Sequence, residues 1–180
     1  MSGAVRSVRE ATLADVSSVV ALVESAYRGE SSCRGWTTEA GLLDGQRTDE
    51  LEIRDLITDA NSQLLLAFDD ARLVGSVLLR NQDGTGYVGM FAIAPEEQGR
   101  GLGKWLLERA EDVFRSRAVR FVTMTVIKQR SELIEWYGRR GYVATGRRLP
   151  FPYDDPRFGL PKRPDLEFVE LKKDLGVGSS

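Results

Sequence analysis

Three groups of residues in this sequence have the types and spacing to do chemistry. The first is Gln98-Gly99-Arg100-Gly101-Leu102-Gly103-Lys104, set between an apolar run, Tyr87 to Ile93, and an amphipathic run, Leu102 to Phe114. Glycine lets such a turn take positive φ and leaves its amides bare. The first four amides of the helix that follows have no partner inside it, and the helix dipole adds about half a positive charge at the same end. An anion fits there, and pyrophosphate, which can meet several amides at once, is the expected one. The second group is Ser131 to Tyr142. It stacks Leu133 and Tyr137 on one helix face, puts Arg139 and Arg140 in the last turn and supplies Gly141 as a stop. The third is Gly29 to Arg47, with Trp36, Glu39, Arg47 and the chain's one cysteine, Cys33.

Other phosphate loops fail on single positions. A Walker A loop needs glycine where Gln98 stands and Ser or Thr where Trp105 stands. A dinucleotide fingerprint needs its third glycine at Lys104, within a βαβ unit. With no histidine, the usual general base and the commonest metal ligand are both missing. Proton chemistry must then use carboxylates, Tyr, Lys, the thiol or water, and no carboxylate cluster has metal spacing, so no metal is expected. Cys33 lacks the His or helix N-terminus that would activate a thiol and is read as an ordinary small residue.

The chain has 180 residues and a net charge of −2, which suits one domain and provides no footprint for nucleic acid or an anionic membrane. No apolar run approaches a membrane span or a signal segment, so a cytoplasmic location is the default expectation. Apolar periodicity predicts strands at Val5 to Glu10, Gln63 to Phe68, Leu73 to Leu79, Tyr87 to Ile93, Arg120 to Ile127, Tyr142 to Arg148 and Glu167 to Lys172. Helices are expected from Thr12 to Tyr27, from Thr37 or Thr38 to Asp59, from Leu102 to Phe114 and after Ser131. Asp69 to Arg72 reads as a tight hairpin, Asn81 to Gly86 as turn-rich, and Leu149 to Pro164, with five of the six prolines, as a structured loop.

Gln98 to Gly103, after Ile93-Ala94-Pro95, resembles the Q/R-x-x-G-x-G/A acyl-CoA loop of the GCN5-related N-acetyltransferase (GNAT) superfamily. The helix ending Tyr137-Gly138-Arg139-Arg140-Gly141-Tyr142 resembles that superfamily's Y-x-x-x-G-F/Y motif. The resemblance implies an α/β (α+β) GNAT fold over residues 4–173. It would be one domain with a mixed, mostly antiparallel sheet of about seven strands and about four helices, and a short tail at 174–180. It also implies acetyl transfer from acetyl-CoA, as co-substrate, to a primary amine of a small molecule in a ternary complex.

On this reading the loop Gln98, Gly99, Arg100, Gly101, Leu102, Gly103 and Lys104 holds the pyrophosphate. Phe91, Ala92 and Ile93 pair with the pantetheine arm, and Tyr137 protonates the departing thiolate. Trp36, Glu39 and Arg47 belong to the acceptor wall. Two departures stand out. No carboxylate lies in Tyr87 to Ile93 to serve as base, and Arg130 stands where many relatives have Asn, where it either meets a CoA phosphate or is a solvated arginine at the start of a helix. A non-catalytic acyl-CoA-binding regulator and a protein or peptide N-acetyltransferase are the alternatives. The Leu149 to Pro164 loop is either an acceptor lid or a contact in a homodimer.

Overall fold

Strand β4 (Thr85–Ile93) and strand β5 (Phe121–Ile127) alternate buried and half-buried side chains, the period of two that a sheet covered on both faces imposes. The computed structural model describes residues 6–28, 32–156 and 159–176. Around β4 and β5 stand β1 (Arg6–Glu10), β2 (Ser62–Asp69), β3 (Arg72–Gln82), β6 (Val143–Pro150) and β7 (Glu167–Asp174). They form one sheet in the order β1-β2-β3-β4-β5-β7-β6, antiparallel throughout except where β4 meets β5. The α/β architecture with a mostly antiparallel seven-stranded sheet is the one expected.

Helices cover both faces. On one, α1 (Val16–Tyr27) and α2 (Glu50–Thr58) pack Val19, Val23 and Ile53 against Leu64, Leu66, Leu78 and Met90. On the other, α3 (Leu102–Ser116) packs Leu106, Leu107, Ala110 and Phe114 against Leu65, Val77, Leu79 and Val88. A short helix, α4 (Ser131–Gly138), follows β5. Among the described residues no helix is long and apolar enough to cross a membrane.

Local signals fared unevenly. Asp70, with φ of +53°, turns β2 into β3 between Asp69 and Arg72, as expected. The stretch 81–86 is instead mostly strand: β3 and β4 continue to a two-residue turn, where Asp83 and Gly84 both take positive φ as Asp-Gly hairpins do. The helix expected from 37 or 38 to 59 exists only as α2. Its N-cap is Asp49, whose carboxylate accepts from the Glu52 amide at 2.8 Å. Before it, Gly45 turns with φ of +76°, and Leu43–Asp44 pairs antiparallel with Leu160–Pro161. At the C-terminal end β7 reaches Asp174, and the Leu175 amide bonds Arg120 O at 2.7 Å, so ordered pairing runs past residue 173. Ala4, Val5 and 177–180 lie outside the described residues.

A buried charge ties the second layer to the sheet. Glu111 of α3 accepts from the Tyr142 hydroxyl at 2.9 Å and from Lys173 Nζ at 2.9 and 3.0 Å. Burial, and then the Glu111 charge, push the Tyr142 phenol well above its ordinary value. Removing one partner of a buried charge pair is costly because the other is left uncompensated. Glu111→Ala should therefore destabilise the fold by about 3 kcal/mol, lowering Tm by roughly 6–12 °C in thermal unfolding.

Candidate active site

The site begins where two parallel strands part. β4 and β5 pair only at Gly86 with Val122 and Tyr87 with Thr123. Beyond that point β4 is distorted by a bulge: Ser76 faces Ala92 and Leu78 faces Gly89, so Met90 and Phe91 together stand opposite Val77. Met90 takes φ of +45°, a strained value for a side chain of its size, and the Ser76 hydroxyl donates to its carbonyl at 3.2 Å. The Tyr27 hydroxyl, at the end of α1, donates to the Phe91 carbonyl. The Ala94 amide bonds Val74 O of β3 at 2.9 Å, so residues 92 and 94 turn their backbone groups to β3, and 91 and 93 turn theirs to the open edge. Of the three expected contact residues, Ala92 is therefore misassigned: its amide is committed to Ser76, while Phe91 and Ile93 face the gap.

The glycine loop opens into the same gap. Gly99 and Gly101 both have φ of +80°, and a Cβ on either would meet nothing within 4 Å, so it is backbone conformation that requires glycine, with free space in front. Gly101 caps α3, and the Trp105 amide makes the first helical bond to Gly101 O at 3.1 Å. The amides of Leu102, Gly103 and Lys104 are thus left at the dipole's positive end. The side chains around them divide. Leu102 is buried in the core, and Arg100 is exposed with its guanidinium 3.8 Å from Glu97.

Gln98 lines this gap too, and its side chain has a second, structural role. Its Oε1 accepts from the Trp36 amide at 2.8 Å, and its Nε2 donates to Thr37 Oγ1 at 2.8 Å and Ile93 O at 3.0 Å. It fastens the segment after α1 to the end of β4, and Gly35 is required beside it because a Cβ there would lie 2.4 Å from Gln98 Oε1.

A cleft of about 550 Å³ runs along this loop and the β4 edge to α4, lined by Gly99, Gly101, Gly103, Ile93 and the side chains of Lys104, Trp136, Arg139 and Arg140. Arg140 lies over the Trp136 ring at 3.8 Å and donates to Trp136 O at 3.0 Å; burial and the neighbouring Arg139 lower its pKa. Trp36, 37% exposed, faces this cleft, 6.1 Å from Trp136, and not the cavity beyond it.

That second cavity, about 210 Å³, shares Tyr27, Phe91 and Leu133 with the cleft. Glu39 and Arg47 line it as expected, with Arg28, Arg130, Tyr137, Phe151 and Phe168. Arg28 pairs with Glu39, and Arg47 lies over the Tyr27 ring at 5.8 Å. Tyr137 is 5% exposed among Phe91, Trp136 and Tyr142. Burial pushes its phenol well above the ordinary value, with Arg130 acting in the opposite direction. Burial, reinforced by Glu39, likewise pushes Tyr27 up to about 12.

Arg130 also departs from its expected place. It is 3% exposed and lines this cavity, not the cleft that carries the glycine loop, because Glu132 holds its Nε at 3.1 Å and Glu39 lies 3.7 Å from its Nη1. The Leu149 to Pro164 loop supplies Phe151 to the same wall. It is strapped down by the Leu43–Asp44 ladder and by Lys162, whose amide bonds Leu42 O at 2.9 Å and whose Nζ bonds Ala40 O at 2.6 Å. Cys33 is exposed and lines neither space. Gly29, Glu30 and Ser31 of the expected wall, and Arg157 and Phe158 of the loop, lie outside the described residues. Tyr27, Arg28, Trp136, Arg139 and Arg140 are site residues that sequence reasoning missed. Trp136 could have been found from its place beside Tyr137, whereas Tyr27 and Arg28 carry no local signal.

A family model described as the acetyltransferase (GNAT) family matches residues 25–142. The fold is shared with the ribosomal-protein-S18-alanine N-acetyltransferase of Escherichia coli, at a TM-score of 0.70 and 12% identity over 98% of this chain and 97% of that one. It is shared also with YncA of Salmonella typhimurium, solved with its cofactor acetyl-CoA, at 0.65 and 19% over 97% and 96%. A third is a spermidine N-acetyltransferase chimera from Vibrio cholerae SpeG and hSSAT, at 0.66 and 19% over 94% and 95%. No curated protein sequence matches.

If Gln98 is what holds Trp36 and Thr37 to β4, Gln98→Ala should speed hydrogen exchange at those two amides by about 10–100-fold, the worth of roughly 1.5–3 kcal/mol. Unchanged exchange would mean that another contact secures the segment.

Proposed function

The chain belongs to the acetyltransferase (GNAT) family, and from that premise we propose that it transfers acetyl from acetyl-CoA directly to a primary amine of a small molecule, both bound at once. The observation that carries this reading is the junction of cleft and cavity at Tyr27, Phe91 and Leu133. A donor along β4 and an acceptor from the opposite side meet there, beside Tyr137, so that no residue has to carry the acetyl group between them.

Acetyl-CoA supplies an acetyl group activated as a thioester. The cleft suits it, since the space in front of Gly99 and Gly101 is open and Lys104, Arg139 and Arg140 put cations along its rim. The α3 amides would take the pyrophosphate, and the edge amides of Phe91 and Ile93 the pantetheine arm. Tyr137 would give its proton to the departing sulfur. Its raised pKa keeps the phenol protonated at neutral pH, and Arg130 offsets part of the cost of donation. An alkyl amine, with a pKa of about 10.4 when free, must lose a proton before it attacks. Glu39 is already shared by Arg28 and Arg130, so that proton leaves through water in the cleft.

Two variants separate donor binding from chemistry. Saturating acetyl-CoA at a hundredfold over Kd should stabilise the protein by about 2.7 kcal/mol, raising Tm by roughly 5–11 °C, and Gly101→Asp should abolish that shift by setting a strained carboxylate against phosphate. Tyr137→Phe should keep the shift and lower kcat about a hundredfold in thiol release from acetyl-CoA. Full turnover in Tyr137→Phe would remove the acid assignment.

A further inference from the structure

The smaller cavity is lined by a buried guanidinium whose outer edge is unmet. Three arginines, Arg28, Arg47 and Arg130, line it against a single carboxylate, Glu39, among the described residues. Arg130 is the telling one. Its side chain is buried, and one edge of its guanidinium is engaged through Nε to Glu132 at 3.1 Å. Neither Nη1 nor Nη2 has a hydrogen-bond partner, and the closest charge, Glu39 Oε1, is 3.7 Å from Nη1. Two buried guanidinium nitrogens without acceptors are expensive, and their parallel N–H groups match the two oxygens of a carboxylate. They lie in the same cavity as Tyr137 and Phe91.

We propose that the acceptor is a free amino acid, whose carboxylate is held by Nη1 and Nη2 of Arg130 while its amino group faces Phe91 and Tyr137. The inference rests on the acetyltransferase reading and narrows its substrate class. The cavity's 210 Å³ is the space of about seven water molecules, enough for one such molecule and not for a folded loop. Arg130 acts here as a specificity residue. The carboxylate meets the open edge of Arg130, and an amine two bonds from that carboxylate stays beside the reacting thioester. The transfer balances without a further reactant: the amine nitrogen gains the acetyl group and loses a proton, the carbon–sulfur bond breaks, and the sulfur leaves as the thiol.

The test uses the full-length protein saturated with CoA, to which the common amino acids, their decarboxylated amines, spermidine and a free-N-terminus peptide are added. Binding is read by calorimetry, and turnover is read separately with acetyl-CoA by thiol release. At least one amino acid should bind and react about tenfold to a hundredfold better than its decarboxylated amine, the range set by losing a charged bidentate contact. Arg130→Gln should erase that preference by raising KM more than it lowers kcat, and Arg130→Lys, a charge without the fork, should restore part of it. Thermal unfolding of both variants checks that they fold. Binding of an amino acid that depends on Arg130, without turnover, would uphold the carboxylate contact, but overturn its role as acceptor and sink the catalytic reading. Preference for spermidine, the decarboxylated amines or the peptide would overturn it, as would failure of any amino acid to bind, or an equal loss for every amine in Arg130→Gln.

Discussion

The structure depends on the parting of β4 and β5. Parallel neighbours need a crossover, and here the crossover is α3, which starts at the C-terminal end of β4 and returns to the start of β5. The two strands pair over two residues and then separate, leaving edge amides that neither strand satisfies. Such an edge is a cost unless something completes it. Because α3 must begin at that end, its unpaired amides open onto the same gap, so one topological fact places both the strand edge and the helix N-terminus.

Side chains from distant segments keep the gap open and give it two sides. The Met90–Phe91 bulge turns β4 away from regular pairing, with Ser76 and Tyr27 each bonding one of its carbonyls. Gln98 then joins the end of β4 to the segment after α1, which brings Trp36 to the cleft. Glu39, a few residues on, faces the smaller cavity. The wall of that cavity is closed from the far end of the sequence, where Leu160–Pro161 pairs with Leu43–Asp44 and Phe151 and Phe168 fill in behind. Cleft and cavity are thus held by contacts spanning most of the chain, and residues 25–142, which match the family, supply only part of the cavity wall.

What was legible in the sequence was local. The glycine loop, the strand before it and the Tyr137 helix are short patterns whose chemistry is carried by consecutive residues, and each lies where the spacing put it. The segment from 37 to 48 was misread as helix: Gly41 and Gly45 break its helical period, and its true course is set by residues 60 or more positions away. Arg130 could be read only as a phosphate contact or a solvated residue at a helix start, since nothing nearby in sequence reveals that Glu39 faces it across the cavity. Ala92 was grouped with its neighbours because strand alternation could be read without the bulge that sets its phase.

Hydrogen exchange along β4, with and without saturating acetyl-CoA, tests the central claim most directly. The amides of Phe91 and Ile93 should slow markedly when the ligand is added, while that of Ala92, already bonded to Ser76, should change little. Protection that appears uniformly along the strand, or only at sites away from the gap, would contradict the account.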